Sequence, residues 1–181
     1  MESKGFFKVI HERKSVRKYK PYEIPVKDLE MMFDAARLAP SANNTQPWRF
    51  IVVTDEETKQ LLAKPRPQSF IDKANAIIVV LAKEYQSCCG KGTWVTRDPI
   101  IATEHLVLAA TALGYGACWI AMYESRPKEF IAEVKERLDI PDGVEIICLV
   151  AIGKPDDSAR QAPKLGVDEI AFLGKYGTPL K

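Results

Sequence analysis

The sequence predicts a three-layer domain of the α/β or α+β class, one sheet covered by helices on both faces. Three observations carry this expectation. Short β-branched and apolar runs alternate with helix-periodic segments along most of the chain. One run, AIIVVLA at 76–82, is apolar at every position, as a strand covered on both sides must be. One helical segment, opening at Asp98 and closing at Gly114, has scarcely any polar face and reads as a central, buried helix. At 181 residues, 46% hydrophobic and 28% charged, the chain reads as one domain over residues 1–181 whose core needs no disulfide or structural metal.

The elements follow in order. Phe6, Val9, Ile10 and Arg13 have helical spacing, so a first helix ends where a basic cluster begins. Leu29, Met32, Phe33 and Ala36 repeat at i, i+3, i+4 and i+7 in a second helix over 26–39, which Pro40 stops. The loop SANNTQP leads into WRFIVV, a strand from Trp48. Thr54 and Glu57 have capping-box spacing, which predicts a short helix from Asp55 through Leu62. KPRPQ at 64–68 is an irregular connection, the 76–82 strand follows, and residues 84–97 read as a loop. Asp98 and Pro99 then fit the N-cap and first position of the apolar helix. ACWIA at 117–121 is a strand, Ser125 and Pro127 open a helix through Leu138, and VEIICLVAIG at 144–153 is a buried strand. The tail from Lys154 to Lys181 carries scattered hydrophobics without a period, which suits a mobile segment or an arm that embraces a partner.

Twenty-six basic against 24 acidic side chains leave a formal charge of +2, too balanced to argue for nucleic acid. No apolar run approaches the ~20 residues of a membrane span, and MESKGFFKVIHERKS lacks the apolar core of a signal peptide, so the expected location is the cytoplasm. Charge is nevertheless concentrated between His11 and Lys20, where Arg13, Lys14, Arg17, Lys18 and Lys20 face only Glu12. Such a short cluster suits a small anion. Arg13, Lys14, Ser15 and Arg17 together can neutralise and hydrogen-bond a phosphate dianion, although a solvated helix end would look the same. The loop at 40–48 concentrates Ser41, Asn43, Asn44, Thr45 and Gln46, uncharged donors and acceptors fit for the edge of a heterocycle, or simply for side-chain-capped turns.

These residues carry a resemblance. R-x-S-x-R near the start, followed by a helix ending in P-S-x-x-N-x-Q-P-W, resembles the FMN-dependent nitroreductase family; QSFIDKANAIIVVLA, ALGYGACWIA and the IGKP turn extend the likeness over nearly the whole chain. It implies an α+β fold with a mixed, mainly antiparallel sheet, and a homodimer that exchanges C-terminal arms and holds each FMN at the subunit interface. It further implies that Arg13, Lys14 and Ser15 hold the phosphate or ribityl chain, with Arg17 at the pyrimidine edge. Pro40, Ser41, Ala42 and Asn44 would line the isoalloxazine, and Gln68 would set an amide against the pyrimidine. Trp119, Ile120 and Ala121 would supply backbone near N5, while Lys164, with Arg160, would reach the phosphate from the tail. Members often carry arginine where Lys164 stands, and the short 55–74 stretch leaves little room for a substrate-covering helix.

The implied activity is ping-pong transfer of hydride from NADH or NADPH to quinone, nitroaromatic or other conjugated acceptors, in which the protein binds and biases the ring and contributes no catalytic side chain. Two other readings share the scaffold: specialised flavin chemistry of a dehalogenating or flavin-degrading kind, and a flavin-binding module without turnover. His105 reads as a satisfied core residue, His11 as a surface or phosphate-side group, and the Cys88–Cys89 pair as incidental. No metal site is expected from this ligand set.

Overall fold

The computed structural model describes residues 5–64, 70–83, 93–121, 126–156 and 160–180. Its elements are α1 (Phe6–Glu12), α2 (Val26–Arg37), a 3₁₀ turn at Ala42–Asn44, β1 (Trp48–Val53), α3 (Glu56–Ala63), β2 (Ala76–Lys83), α4 (Thr93–Ala112), β3 (Gly116–Ala121), α5 (Lys128–Arg137), β4 (Val144–Gly153) and α6 (Val167–Ile170). The four strands form one sheet in the order β1-β2-β4-β3, every neighbouring pair antiparallel. Among the described residues one isolated parallel bridge, Ser15 to Ala117, joins the edge of this antiparallel sheet.

Alternation along the strands divides the core into two layers, because successive side chains leave opposite faces. Ile77, Val79 and Leu81 of β2 point to a cluster with Leu61, Leu62, Phe130 and Val134 of α3 and α5. Ala76, Ile78, Val80 and Ala82 point the other way, to Met32 and Ala36 of α2 and Leu106, Val107 and Ala110 of α4. The three predicted layers are therefore present, on an α+β sheet. A register shift at Val80/Leu81 leaves Ile147 without its own partner on β2, and both Ile147 and Cys148 join the α2/α4 layer, as a bulge requires.

Local chemistry explains several boundaries and corrects others. Asp55, not Thr54, caps α3: its carboxylate accepts the Thr58 N–H at 2.9 Å, one position later than the capping-box spacing suggested. Its pKa is lowered, first by the hydrogen bonds from Thr58 and then by Arg137, whose guanidinium also reaches Glu57 at 2.8 Å. The helix expected to open at Asp98 already runs from Thr93, so residues 93–97 are not loop and Pro99 sits within α4. There the proline removes one i→i−4 donor from the second turn of the helix, beyond the first turn whose N–H groups lack intrahelical partners in any case. Nor is α4 wholly buried in one chain: Ala102, Leu106 and Ala110 are enclosed, while Ile100 and Ile101 are exposed. At its other end the prediction holds. Gly114, at φ +80°, and Tyr115 return their N–H groups to Thr111 O and Ala110 O, a Schellman closure. The helix opened by Pro127 is α5; Ser125 and the Cys88–Cys89 pair lie outside the described residues.

Among the described residues, no helix is long and apolar enough to cross a membrane, and no group of three or more His, Cys, Asp or Glu could hold a metal ion.

Candidate functional site

The basic segment is fastened to the free edge of β3. Ser15 bridges Ala117, and the Val16 N–H donates to Ala117 O at 2.9 Å. Gly116 permits this approach, since a Cβ there would fall 2.5 Å from Val16 Cγ2. The Tyr19 hydroxyl lies 2.6 Å from Val16 O and 3.2 Å from Ala151 O, riveting the segment to β4. Burial pushes the pKa of this hydroxyl up, which keeps its donor proton in place. Lys20 N–H to Lys154 O, at 2.9 Å, completes the attachment.

Fixed in this way, Arg13, Lys14, Ser15 and Arg17 line a cavity of about 150 Å³ together with Arg160 and Lys164 of the tail. All six were singled out in the sequence, and they converge across some 150 positions. Gln161 and Ala162 line it as well and were missed, because neither residue type marks an anion site. Arg17 is held over the Phe70 ring, 5.8 Å from its centroid. It also lies against Cys118, whose thiol is pushed up by burial and pulled back by Arg17 and the Ser15 hydroxyl. Cationic groups gathered around so small a space repel one another unless an anion lies among them. A phosphate, with several oxygens to receive charge-assisted hydrogen bonds, fits this donor set. His11 lines a larger cleft of about 570 Å³ that shares Lys14 and Gln161 with this cavity.

The amide loop has a different character. Pro40 and Asn44 are exposed and Ser41 and Ala42 half-buried. Asn43, Asn44 and Gln46 have φ of 51°, 55° and 47°. Left-handed backbone costs a non-glycine residue on the order of 1–2 kcal/mol, less for Asn, so three such positions in four must be held by other contacts. The Ser41 hydroxyl accepts the Gln46 N–H at 3.0 Å, the Gln46 side-chain amide reaches Asn44 Oδ1 at 3.2 Å, and the Ala42 N–H donates to Asp98 Oδ2 at 3.1 Å. Backbone strain of this kind concentrates at functional sites. The Thr45 hydroxyl oxygen, buried beside these residues, has no hydrogen-bond partner among the described residues.

On β3, Trp119 packs toward α4 and Ile120 into the opposite layer, while Ala121 is exposed at the strand end. Their side chains therefore serve the core, apart from Ala121. Gln68 lies outside the described residues. His105 is half-buried in α4 with Nδ1 3.2 Å from Ala35 O, a satisfied core histidine.

Within one chain the two stretches do not meet. The amide loop enters β1 and the basic segment flanks β3, the two outer strands, so three strand spacings of ~4.8 Å separate them laterally, about 14 Å. Ala117 is level with Ile152 and Ala76, whereas Trp48 is level with Ala82; six residues of β2 add roughly 20 Å along the strands. The diagonal is about 24 Å. Helix α4 gives an independent ruler, since Asp98 touches the loop and Gly114 closes the helix beside the basic segment, and Asp98 to Ala112 spans about 21 Å at ~1.5 Å per residue.

Cationic side chains at one corner and uncharged amides at the other form a donor set that suits a phosphorylated heterocyclic ligand. The family model for the nitroreductase family matches residues 10–66 and 60–154, and the chain belongs to that family of FMN-dependent oxidoreductases. It is 37% identical over 155 residues, 83% of this chain and 85% of the relative, to an Archaeoglobus fulgidus protein named provisionally as an NADH dehydrogenase/NAD(P)H nitroreductase. Among solved structures it resembles a nitroreductase family protein from Clostridium novyi NT at 33% identity, with a TM-score of 0.75 over 98% of this chain and 97% of that one. An FMN-dependent nitroreductase from Clostridium difficile R20291 superposes with a TM-score of 0.77 at 29% identity, over 91% and 96% of the two chains.

Proposed function

We propose that the chain is a homodimeric NAD(P)H oxidoreductase. The cationic cavity of one protomer holds the FMN phosphate, and the Pro40–Asn44 loop of its partner meets the isoalloxazine. The observation that carries this reading is the convergence of Arg13, Lys14, Ser15, Arg17, Arg160 and Lys164 on one small cavity. The diagonal of about 24 Å between that cavity and the loop exceeds the reach of a flavin mononucleotide, so one ligand touches both stretches only when they come from different copies. Unpartnered apolar surface supports the same assembly: Phe6, Phe7, Ile100 and Ile101 on the helices and Leu165, Val167, Ile170 and Leu173 on the tail are all exposed in one chain. The tail acts as the embracing arm.

FMN held there would supply two-electron chemistry between NADH or NADPH and a quinone, nitroaromatic or other conjugated acceptor. The chain's own work is to bind, orient and bias. Arg13, Lys14 and Ser15 neutralise the phosphate, assisted by Arg160 and Lys164; Arg17 places a fixed cation toward the pyrimidine edge, where negative charge accumulates on reduction. Asn44 and Ser41 give the ring neutral hydrogen-bonding partners, and the backbone of Trp119, Ile120 and Ala121 shapes the N5 side.

The test is an anaerobic titration. The purified protein should be yellow, lose the flavin absorbance on addition of NADH or NADPH, and regain it with an acceptor. A protein that stays yellow with both nicotinamides is a binding module without turnover, and one that takes up no FMN overturns the assignment altogether.

A further inference from the structure

Asp98 is 2% exposed on the α2/α4 side of the molecule. A carboxylate withdrawn from water persists only where hydrogen bonds or charges compensate it. Its position within α4, past a helix start at Thr93, removes the capping role that the Asp-Pro pair suggests. Instead Oδ2 accepts the Ala42 N–H at 3.1 Å, across 56 positions of sequence.

That amide opens the turn that carries Asn43, Asn44 and Gln46 in left-handed backbone. Several ties run within the turn itself: Asn44 N–H to Ser41 O at 3.0 Å, Thr45 N–H to Ala42 O at 3.1 Å, and Gln46 N–H to Ser41 Oγ at 3.0 Å. Internal bonds set the loop's shape but leave its place on the molecule open. The bond to Asp98 sets the place. One turn further along α4, Ala102 packs against Ala39 and Trp48, the residues that flank the loop, so the same stretch of helix supports it at both ends and in the middle.

We infer that Asp98 is a positioning residue: through the Ala42 N–H it sets where Ser41–Asn44 stand against the flavin, an assignment that rests on the FMN chemistry proposed above. It touches neither cofactor nor substrate in this role, and the basic cavity at the far end of α4 is independent of it. Its loss therefore separates ring placement from phosphate affinity.

The experiment compares wild-type holoenzyme with Asp98→Ala, Asp98→Asn and Asp98→Glu by three measurements: hydrogen exchange of the 40–47 peptide, FMN dissociation, and the rate of flavin reduction by NADH. In Asp98→Ala, exchange in the 40–47 peptide should quicken and flavin reduction should slow, each about tenfold, as the loss of one charge-assisted hydrogen bond entails. FMN affinity should stay within about threefold, because the phosphate contacts are untouched. Asp98→Asn retains an acceptor oxygen and should restore both rates to within about threefold. Unchanged loop exchange in Asp98→Ala overturns the anchor, and faster exchange with unchanged reduction overturns its importance for the ring. Should the alanine variant not fold, Asp98→Glu, which displaces the carboxylate by one methylene, decides by the same two rates. A wild-type protein that neither nicotinamide reduces would refute the proposed function, while the exchange arm would still decide whether Asp98 holds the loop.

Discussion

A shared flavin site can be tested by mixing damaged chains. Arg13→Ala removes one guanidinium from the phosphate cavity; a charge-assisted contact is worth on the order of 1.5–3 kcal/mol, so FMN should bind roughly 10- to 150-fold more weakly. Asn44→Ala damages the amide loop instead, at the opposite corner about 24 Å away. If each site draws its cavity from one copy and its loop from the other, a mixed dimer contains one site with both lesions and one with neither. Random reassortment of equal amounts makes about half the dimers mixed, so about a quarter of all sites become wild type. The assay co-refolds the two variants, sets FMN well below the Arg13→Ala dissociation constant, and follows NADH-driven nitroaromatic reduction. Activity should exceed the mean of the separate variants by about a fifth to a quarter of the wild-type rate. If cavity and loop of one chain served the same flavin, no mixture could create an intact site and activity would stay at the mean. That result would refute the two-chain site.

Gly116→Ala should push a methyl into Val16, lowering stability by about 1–3 kcal/mol and the melting temperature by about 2–4 °C per kcal/mol, with faster release of fluorescent FMN; an unaltered melt and unaltered retention would show that the close approach is unimportant. Asp55→Ala should cost about 1 kcal/mol at neutral pH through loss of the α3 cap. Because the folded pKa of Asp55 is lowered, its contribution is present above the ordinary Asp range and is lost as pH falls through the depressed value, so the difference in melting temperature between wild type and Asp55→Ala should shrink in acid. Burial pushes Cys148 up to about 12 and raises Cys118 as well, so at pH 8 iodoacetamide should leave both peptides unmodified in the folded protein and label them only after denaturation, as peptide mass mapping would show.

What was legible in the sequence was what depends on near neighbours. The apolar run at 76–82 reads as a covered strand and Gly114 as a helix end, since both follow from local burial and backbone freedom. The basic segment was visible by residue type, whereas Arg160 and Lys164 joined it through the family resemblance alone. Asp98 shows where local rules stop: before a proline it looks like a cap, yet its partner is an amide 56 positions away that no window of sequence contains. Gly116 was passed over for the same reason, its contact being Val16, 100 positions earlier. Thr54 and Asp55 were both competent caps, and the carboxylate prevailed at the electropositive end of α3. The distance between cavity and loop depends on the strand order β1-β2-β4-β3, a global property that the spacing of motifs along the chain does not encode.

The length of α4 between Asp98 and Gly114 has a consequence for how such chains can diverge. Adding a single residue within that span would turn one end about 100° relative to the other and lengthen the rod by about 1.5 Å. Asp98 would then swing off the Ala42 amide, or Tyr115 and Gly116 would lose their phase with the sheet edge. Insertions and deletions are therefore expected to accumulate ahead of Thr93 or beyond Ala121, while the stretch between stays invariant in number even where its side chains drift.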